Sequence, residues 1–154
     1  MRLDDEHFTE VEILSFHARC KLDGMSYEQL VTVRLNDGLV LRLFDFMGFA
    51  VNESRLGKNK RIVLCVRHID GEITVLDTGR PGLLESDFDS KIEEPSKMTL
   101  VAKVLETNKE DHDLLVDASF GALYVIPDAD VSRFKAGDII KFKAERLDLI
   151  EILE

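Results

Sequence analysis

Residues that could carry out catalysis or bind a metal are scattered along this chain. The four histidines, His7, His17, His68 and His112, lie far apart, whereas a zinc site needs three or four convergent ligands. The sequence has no Gly-x-Ser-x-Gly nucleophile turn, no phosphate-binding glycine loop ending in Lys-Ser/Thr and no His-Glu-x-x-His. We therefore expect no catalytic residue, metal site or cofactor. An enzyme with a site assembled between two halves of the chain is the least favoured of three hypotheses.

A basic run at residues 55–67 is the one local departure from an acidic background. The chain carries 30 acidic and 20 basic residues, a formal charge of −10, which disfavours general binding to polyanions. The run contains no acidic residue, and its basic members are Arg55, Lys58, Lys60, Arg61 and Arg67. An aromatic cluster directly precedes it, with Phe44, Phe46 and Phe49 around Met47.

These residues support two hypotheses about binding. If Phe46, Met47 and Phe49 are exposed, they would form an apolar patch rimmed by charge, which is typical of a contact surface for another protein or a second copy. Alternatively, the basic run would follow the phosphates of a single-stranded nucleic acid while Phe44, Phe46 and Phe49 stack on its bases. Because the chain is acidic overall, we favour a non-enzymatic module that binds a protein or self-associates.

Alternating apolar and polar residues predict β-strands in the first half. The predicted strands are 12–22, 31–35, 39–43, 62–69 and 73–76. Asn36-Asp37-Gly38 between two of them is typical of a hairpin turn, and Asp70-Gly71 predicts a second hairpin. The acidic stretch 85–97 breaks this pattern and is interpreted as a linker.

The second half repeats the same order of strands. Its predicted strands are 100–105, 114–116, 123–126, 139–144 and 149–153. Asp130, followed by Val131 and Phe134, predicts a short helical turn near 128–134. Across both halves we expect a core that contains Leu14, Phe16, Val33, Leu41, Leu64, Val66, Val101, Val116, Val125, Ile140 and Phe142.

The order strand, strand, strand, short helix, strand, strand over residues 99–153, with the turn 134–138 before the fourth strand, resembles the OB-fold, a five-stranded Greek-key barrel. Residues 10–78 follow a similar order. The resemblance implies an all-β protein of two consecutive OB-like five-stranded barrels, or one fused barrel or sandwich. The predicted domains are an N-terminal barrel over 1–84, the acidic linker 85–97 and a C-terminal barrel over 98–154.

Cysteine usage and hydropathy bear on localisation. Cys20 and Cys65 form no Cys-x-x-Cys pair, and no secretory signal precedes them. No apolar run approaches the roughly 18 residues that a membrane-spanning helix needs. We therefore expect a cytoplasmic protein that has reduced cysteines and no membrane partner.

Overall fold

The computed structural model describes residues 6–23, 25–46 and 51–153. These residues form strands and two 3-10 turns, η1 (Glu53–Arg55) and η2 (Val131–Arg133), and no α-helix is found among them. The strands are β1 Thr9–Leu22, β2 Met25–Leu35, β3 Val40–Asp45, β4 Gly57–Val66, β5 Ile69–Leu76, β6 Gly82–Ser86, β7 Met98–Asn108, β8 Asp113–Asp117, β9 Ala122–Val125, β10 Ile139–Ala144 and β11 Asp148–Leu153. Within the described ranges, no helix has the length and apolar character needed to cross a membrane.

Five strands form a closed mixed barrel. β1 pairs with β2 and β2 with β3, both antiparallel. β3 then runs parallel to β11, β11 runs antiparallel to β4, and β4 returns antiparallel to β1. The final strand of the chain therefore completes a barrel whose other four strands all precede Arg67.

The other six strands pack outside this barrel. The far end of β4 pairs in parallel with β9, and the sheet continues through β8, β7 and β10 to β5, while β6 pairs with β7. The prediction of two consecutive barrels is therefore wrong, because the chain forms one closed barrel extended by a sheet. The physical reason is an exchange of partners: β11 pairs with β4, and β5 pairs with β10.

The predicted repeat of element order is confirmed. Three strands, a 3-10 turn and two strands occur first as β1 to β5 and again as β7 to β11. The predicted turn near 128–134 is η2, where the Asp130 side chain accepts a hydrogen bond from the Ser132 backbone N–H at 2.9 Å. Val131 and Phe134 are both buried beside it. Local pattern therefore predicted the order of the elements but not the long-range pairings of β5 and β11.

The two predicted hairpins have different outcomes. The β2–β3 hairpin is confirmed, and Gly38 takes a φ of 93° in its turn. The prediction of a hairpin at Asp70-Gly71 is wrong, because both residues lie inside β5. Gly71 has a φ of 83°, and the register against β10 shifts between Lys141 and Lys143. A bulge in β5 therefore uses the glycine that the sequence assigned to a turn.

Most of the predicted core is buried, with two exceptions in β1. Leu14 and Phe16 are half-buried. The register of β1 against β2 shifts between Ile13 and Ser15, so that Ile13 is buried and Leu14 lies at the irregularity, while Phe16 still packs against the core. The other predicted core residues, Val33, Leu41, Leu64, Val66, Val101, Val116, Val125, Ile140 and Phe142, are buried. All of them except Val101 belong to one hydrophobic cluster, which contains residues of both repeats.

The acidic stretch 85–97 contacts the barrel. Its first residues belong to β6, which pairs with β7. Further along, the Arg42 backbone N–H donates to Ser96 Oγ and the Ser96 N–H donates to the Arg42 carbonyl, each at 2.9 Å. The Arg42 guanidinium also lies 5.2 Å from the centre of the Phe88 ring. The stretch is therefore attached to β3 by backbone and side-chain contacts.

Candidate binding site

Three strands bring the aromatic end of β3 next to charged residues from two distant parts of the chain. In the parallel pairing of β3 with β11, Phe44 lies opposite Asp148. In the antiparallel pairing of β11 with β4, Asp148 lies opposite Cys65. Residues just beyond these strand ends, Arg67 and Arg146, therefore meet at the same end of the barrel.

The two arginines each stack on a phenylalanine ring. The Arg67 Cζ atom lies 4.1 Å from the centre of the Phe46 ring, and the Arg146 Cζ atom lies 4.1 Å from that of Phe44. Both distances are within the roughly 6 Å over which a cation is attracted to an aromatic face. We call Phe44, Phe46, Arg67, Arg146 and Asp148 the arginine–phenylalanine cluster.

The carboxylate of Asp148 forms ion pairs with both arginines. Its side chain is fully buried, with Oδ1 accepting a hydrogen bond of 2.7 Å from Arg146 Nε and Oδ2 lying 3.7 Å from Arg67 Nε. Burial raises the pKa of the Asp148 carboxyl above its ordinary value, and Arg146 and Arg67 oppose that rise. Two guanidinium groups therefore share one buried carboxylate, and Glu94 and Glu145 line the groove beside Arg146.

The outer surface of the cluster is accessible. Phe46 is 44% exposed, and the Arg67 and Arg146 side chains are 32% and 27% exposed. Both arginines approach Asp148 through Nε, and the Arg67 side chain also interacts with the Cys65 thiol. Planar guanidinium donors held in this way suit carboxylates and phosphates, which can accept two parallel hydrogen bonds.

A buried polar contact anchors the chain next to Phe46. Asp45 is fully buried, and its Oδ2 accepts hydrogen bonds from Gln29 Nε2 at 3.1 Å and from the Val51 backbone N–H at 3.4 Å. Gln29 Nε2 also donates to the Val51 carbonyl at 2.9 Å. These bonds fix both ends of the segment between Asp45 and Val51. Met47 and Phe49, which were predicted to contribute to the site, lie in that segment outside the described residues.

The basic run divides between the two ends of β4. Arg55 ends η1, while Lys58, Lys60 and Arg61 lie in the first half of β4. Arg61 lies beside a different ring, with its Cζ atom 5.4 Å from the centre of Phe8. Arg67 is six positions beyond Arg61 along extended chain, a distance of about 20 Å. Of the predicted basic residues, only Arg67 therefore joins Phe44 and Phe46.

Two members of the cluster escaped the sequence analysis. Arg146 and Asp148 flank the buried Leu147 at the start of β11. Alternation of charged and apolar residues around a strand is ordinary, so nothing local marked them as site residues. They join the site only through the pairing of β11 with β3, two strands that are distant in the sequence.

Cys65 and His68, two further reactive groups near the cluster, have different surroundings. Cys65 is buried against Val63, Leu115 and Tyr124, and burial raises its pKa from 9.0 to about 11. His68 is exposed and lines an open groove with Glu94 and Glu145. No cluster of three or more potential metal ligands is found in the described part of the chain.

Comparisons of this chain with protein-family models, with curated proteins and with solved structures found no match. The site is therefore interpreted from its own geometry and chemistry.

Proposed function

We propose that this protein is a non-enzymatic binding module and that the arginine–phenylalanine cluster contacts a protein partner. The observation that carries the proposal is the exposed ring of Phe46 stacked against the partly exposed guanidinium of Arg67. Aromatic residues and arginine are enriched in the energetically important centres of protein interfaces. The buried Asp148 supports this role, because its carboxylate is hydrogen-bonded to Arg146 and lies within ion-pair distance of Arg67 before a partner arrives.

The chemistry of the cluster defines the kind of partner. A protein segment that places a carboxylate against Arg67 and Arg146 and an apolar side chain against Phe46 would satisfy both the charge and the exposed ring. Such charge-assisted hydrogen bonds are stronger than those between neutral groups. The partner surface is therefore acidic and partly apolar.

The closed barrel supports a binding role only indirectly. Its β4-β1-β2-β3 order is that of a Greek key, and we propose that it is an OB-like barrel with β11 as its fifth strand. Barrels of this kind hold many different ligands on similar frameworks. The function is therefore argued from the cluster rather than from the fold.

The proposal is tested by quantitative affinity capture with the tagged full-length chain. Phe46→Ser removes the exposed ring, and Leu84→Ser is the matched control because Leu84 is 56% exposed on β6. We expect a protein that is retained by the wild type and by Leu84→Ser and lost with Phe46→Ser. Equal retention by all three variants would contradict the proposal. Sedimentation velocity of the purified chain shows whether the partner is a second copy.

Single-stranded nucleic acid is a second candidate, because Arg67 places a cation beside the exposed ring of Phe46. The other residues of the basic run, Arg55, Lys58, Lys60 and Arg61, lie on or beside β4, the strand that ends just before Arg67. Anisotropy of labelled oligonucleotides at about 50 and 200 mM salt tests it, since each neutralised phosphate releases counterions. Binding that weakens steeply with salt and is lost when Arg55, Lys58, Lys60 and Arg61 become alanine would favour this candidate. Absence of binding at the lower salt concentration would reject it.

A further inference from the structure

One edge of β5 is unpaired, whereas both edges of β11, the last strand of the other repeat, are paired. β11 pairs with β4 on one side and with β3 on the other. β5 pairs with β10 and ends the order of strands, with no pairing along its other edge among the described residues. Such an edge presents backbone groups that can pair with a further strand.

A groove runs beside β5. One wall is formed by Ile69 and Ile73 of β5, and the other by Pro127, Ala129 and Phe134 of the connection between β9 and β10. Ile69 and Ile73 are half-buried and pack on the main core, while Pro127 and Phe134 are buried. The groove is therefore apolar at its base and is lined on one side by residues of β5.

The size of the groove favours a side chain over a small molecule. Its volume is about 250 Å³, below the roughly 300–1,000 Å³ of typical small-molecule pockets. An apolar side chain from an extended peptide fits this space while the peptide backbone pairs with the strand edge. Recognition of this kind combines backbone hydrogen bonds with pockets for alternate side chains.

The charges around the groove define the occupant further. Glu72 is exposed on β5 and Asp128 is exposed on the opposite wall, and Arg133 is the one basic residue that lines the groove. Two copies of β5 placed edge to edge would bring their acidic residues together, which destabilises a strand pair. A peptide with basic side chains would meet complementary charge instead.

We propose that β5 accepts an extended segment of another protein as an additional strand. Apolar side chains of that segment enter the groove between Ile73 and Phe134, and its basic side chains lie against Glu72 and Asp128. This inference is independent of the arginine–phenylalanine cluster, and its test uses different variants, so either proposal can fail alone.

The test measures binding of a labelled peptide of about seven residues, close to the length of a typical strand, in which lysine and valine alternate. Fluorescence anisotropy with the full chain gives the affinity. Ala129→Trp fills the groove, and Ala136→Trp is the matched control on an exposed turn. We expect Ala129→Trp to weaken binding about tenfold or more and Ala136→Trp to leave it unchanged.

Two further measurements separate strand addition from nonspecific attraction. A peptide with N-methylated backbone amides should bind poorly, and the unmodified peptide should slow hydrogen exchange of the β5 amides. Equal binding to both tryptophan variants, equal binding of the N-methylated peptide, or no binding at about 1 mM peptide would overturn the proposal. Protection of β5 that rises with protein concentration without peptide would assign this edge to a second copy and also overturn it.

Discussion

Asp148 shows how a single buried residue determines the geometry of a surface site. Its carboxylate contacts Arg67 and Arg146, and each arginine in turn covers one phenylalanine ring. The sequence predicted Phe44, Phe46 and Arg67 as site residues, since the basic run and the aromatic cluster are visible locally. It could not predict Arg146, because the contact of Arg146 with Phe44 depends on the pairing of the last strand with β3.

Gly121 is required by the close approach of β1 to the start of β9. It forms an isolated bridge with Thr9, and a Cβ atom at this position would lie 2.8 Å from the Thr9 Cα atom. We expect Gly121→Ala to lower the free energy of unfolding by about 1–3 kcal/mol, because backbone must move to accept the methyl group. Urea unfolding measures this loss. Gly82→Ala is the control, since no atom lies within 4 Å of a Cβ there, and an equal effect of both substitutions would contradict the account.

Cys65 should react slowly because burial raises its pKa to about 11 from an ordinary value of 9.0. The thiolate is the reactive form, so alkylation near pH 8 should be about a hundredfold slower in the folded chain than in urea. A Cys20→Ser background restricts the measurement to Cys65. The pKa of Cys65 is higher in the folded chain than in the unfolded chain, so burial of the neutral thiol is favourable below about pH 9. As the pH rises toward 11, the thiol ionises more readily in the unfolded chain and the free energy of unfolding falls. Similar alkylation rates in both states would refute the burial of this thiol.

At the scale of elements, the same kind of turn sequence gave two outcomes. Asn36-Asp37-Gly38 turns the chain, because β2 and β3 pair directly across it. Asp70-Gly71 lies within β5, because the partner of that strand is β10 and not β4. A glycine with positive φ serves a turn or a bulge equally well. Only the long-range pairing distinguishes a turn from a bulge. The sequence therefore predicted a strand near Asp70-Gly71 but could not show that these residues form a bulge instead of a hairpin turn.

β11 should be essential for folding because it closes the barrel between β3 and β4. It contributes the buried side chains of Leu149 and Ile152, and Leu147 is buried just before it. We expect removal of residues 146–154 to abolish the cooperative urea transition, since the barrel loses a strand and several fully buried side chains. Far-ultraviolet circular dichroism measures the transition.

A complementation experiment provides the control for this truncation. A synthetic peptide of residues 146–154 should restore the transition when added to the shortened chain, and Glu151→Gln, an exposed change in the same strand, should leave the full chain unaffected. A shortened chain that unfolds cooperatively at the wild-type urea concentration would contradict the closing role of β11.

At the scale of the whole molecule, the two repeats depend on each other. Each contributes its last strand to a pairing with the fourth strand of the other, β11 with β4 and β5 with β10. The sequence predicted the repeat because each strand carries its own alternation of residues. It did not predict the exchange, because the alternation along a strand states which face is buried and not which neighbour it pairs with.

This exchange predicts that the halves cannot fold alone. Fragments 1–97 and 98–154 expressed separately should each lack a cooperative urea transition, because each contains a strand that has lost a partner. Mixed together, they should form a one-to-one complex with the circular dichroism spectrum of the intact chain, detectable by sedimentation velocity. Two fragments that each unfold cooperatively would instead support independent domains.

The most direct test of the account places a photoreactive benzoyl-phenylalanine at position 46 of the full-length chain and irradiates it in a lysate. The same substitution at position 84 is the control, since Leu84 is also exposed and lies on β6, outside the cluster. The account predicts a protein adduct at position 46 that excess wild-type chain competes away, and no such adduct at position 84. An adduct with nucleic acid at position 46, or equal protein adducts at both positions, would contradict the proposal that the arginine–phenylalanine cluster is a protein-binding surface.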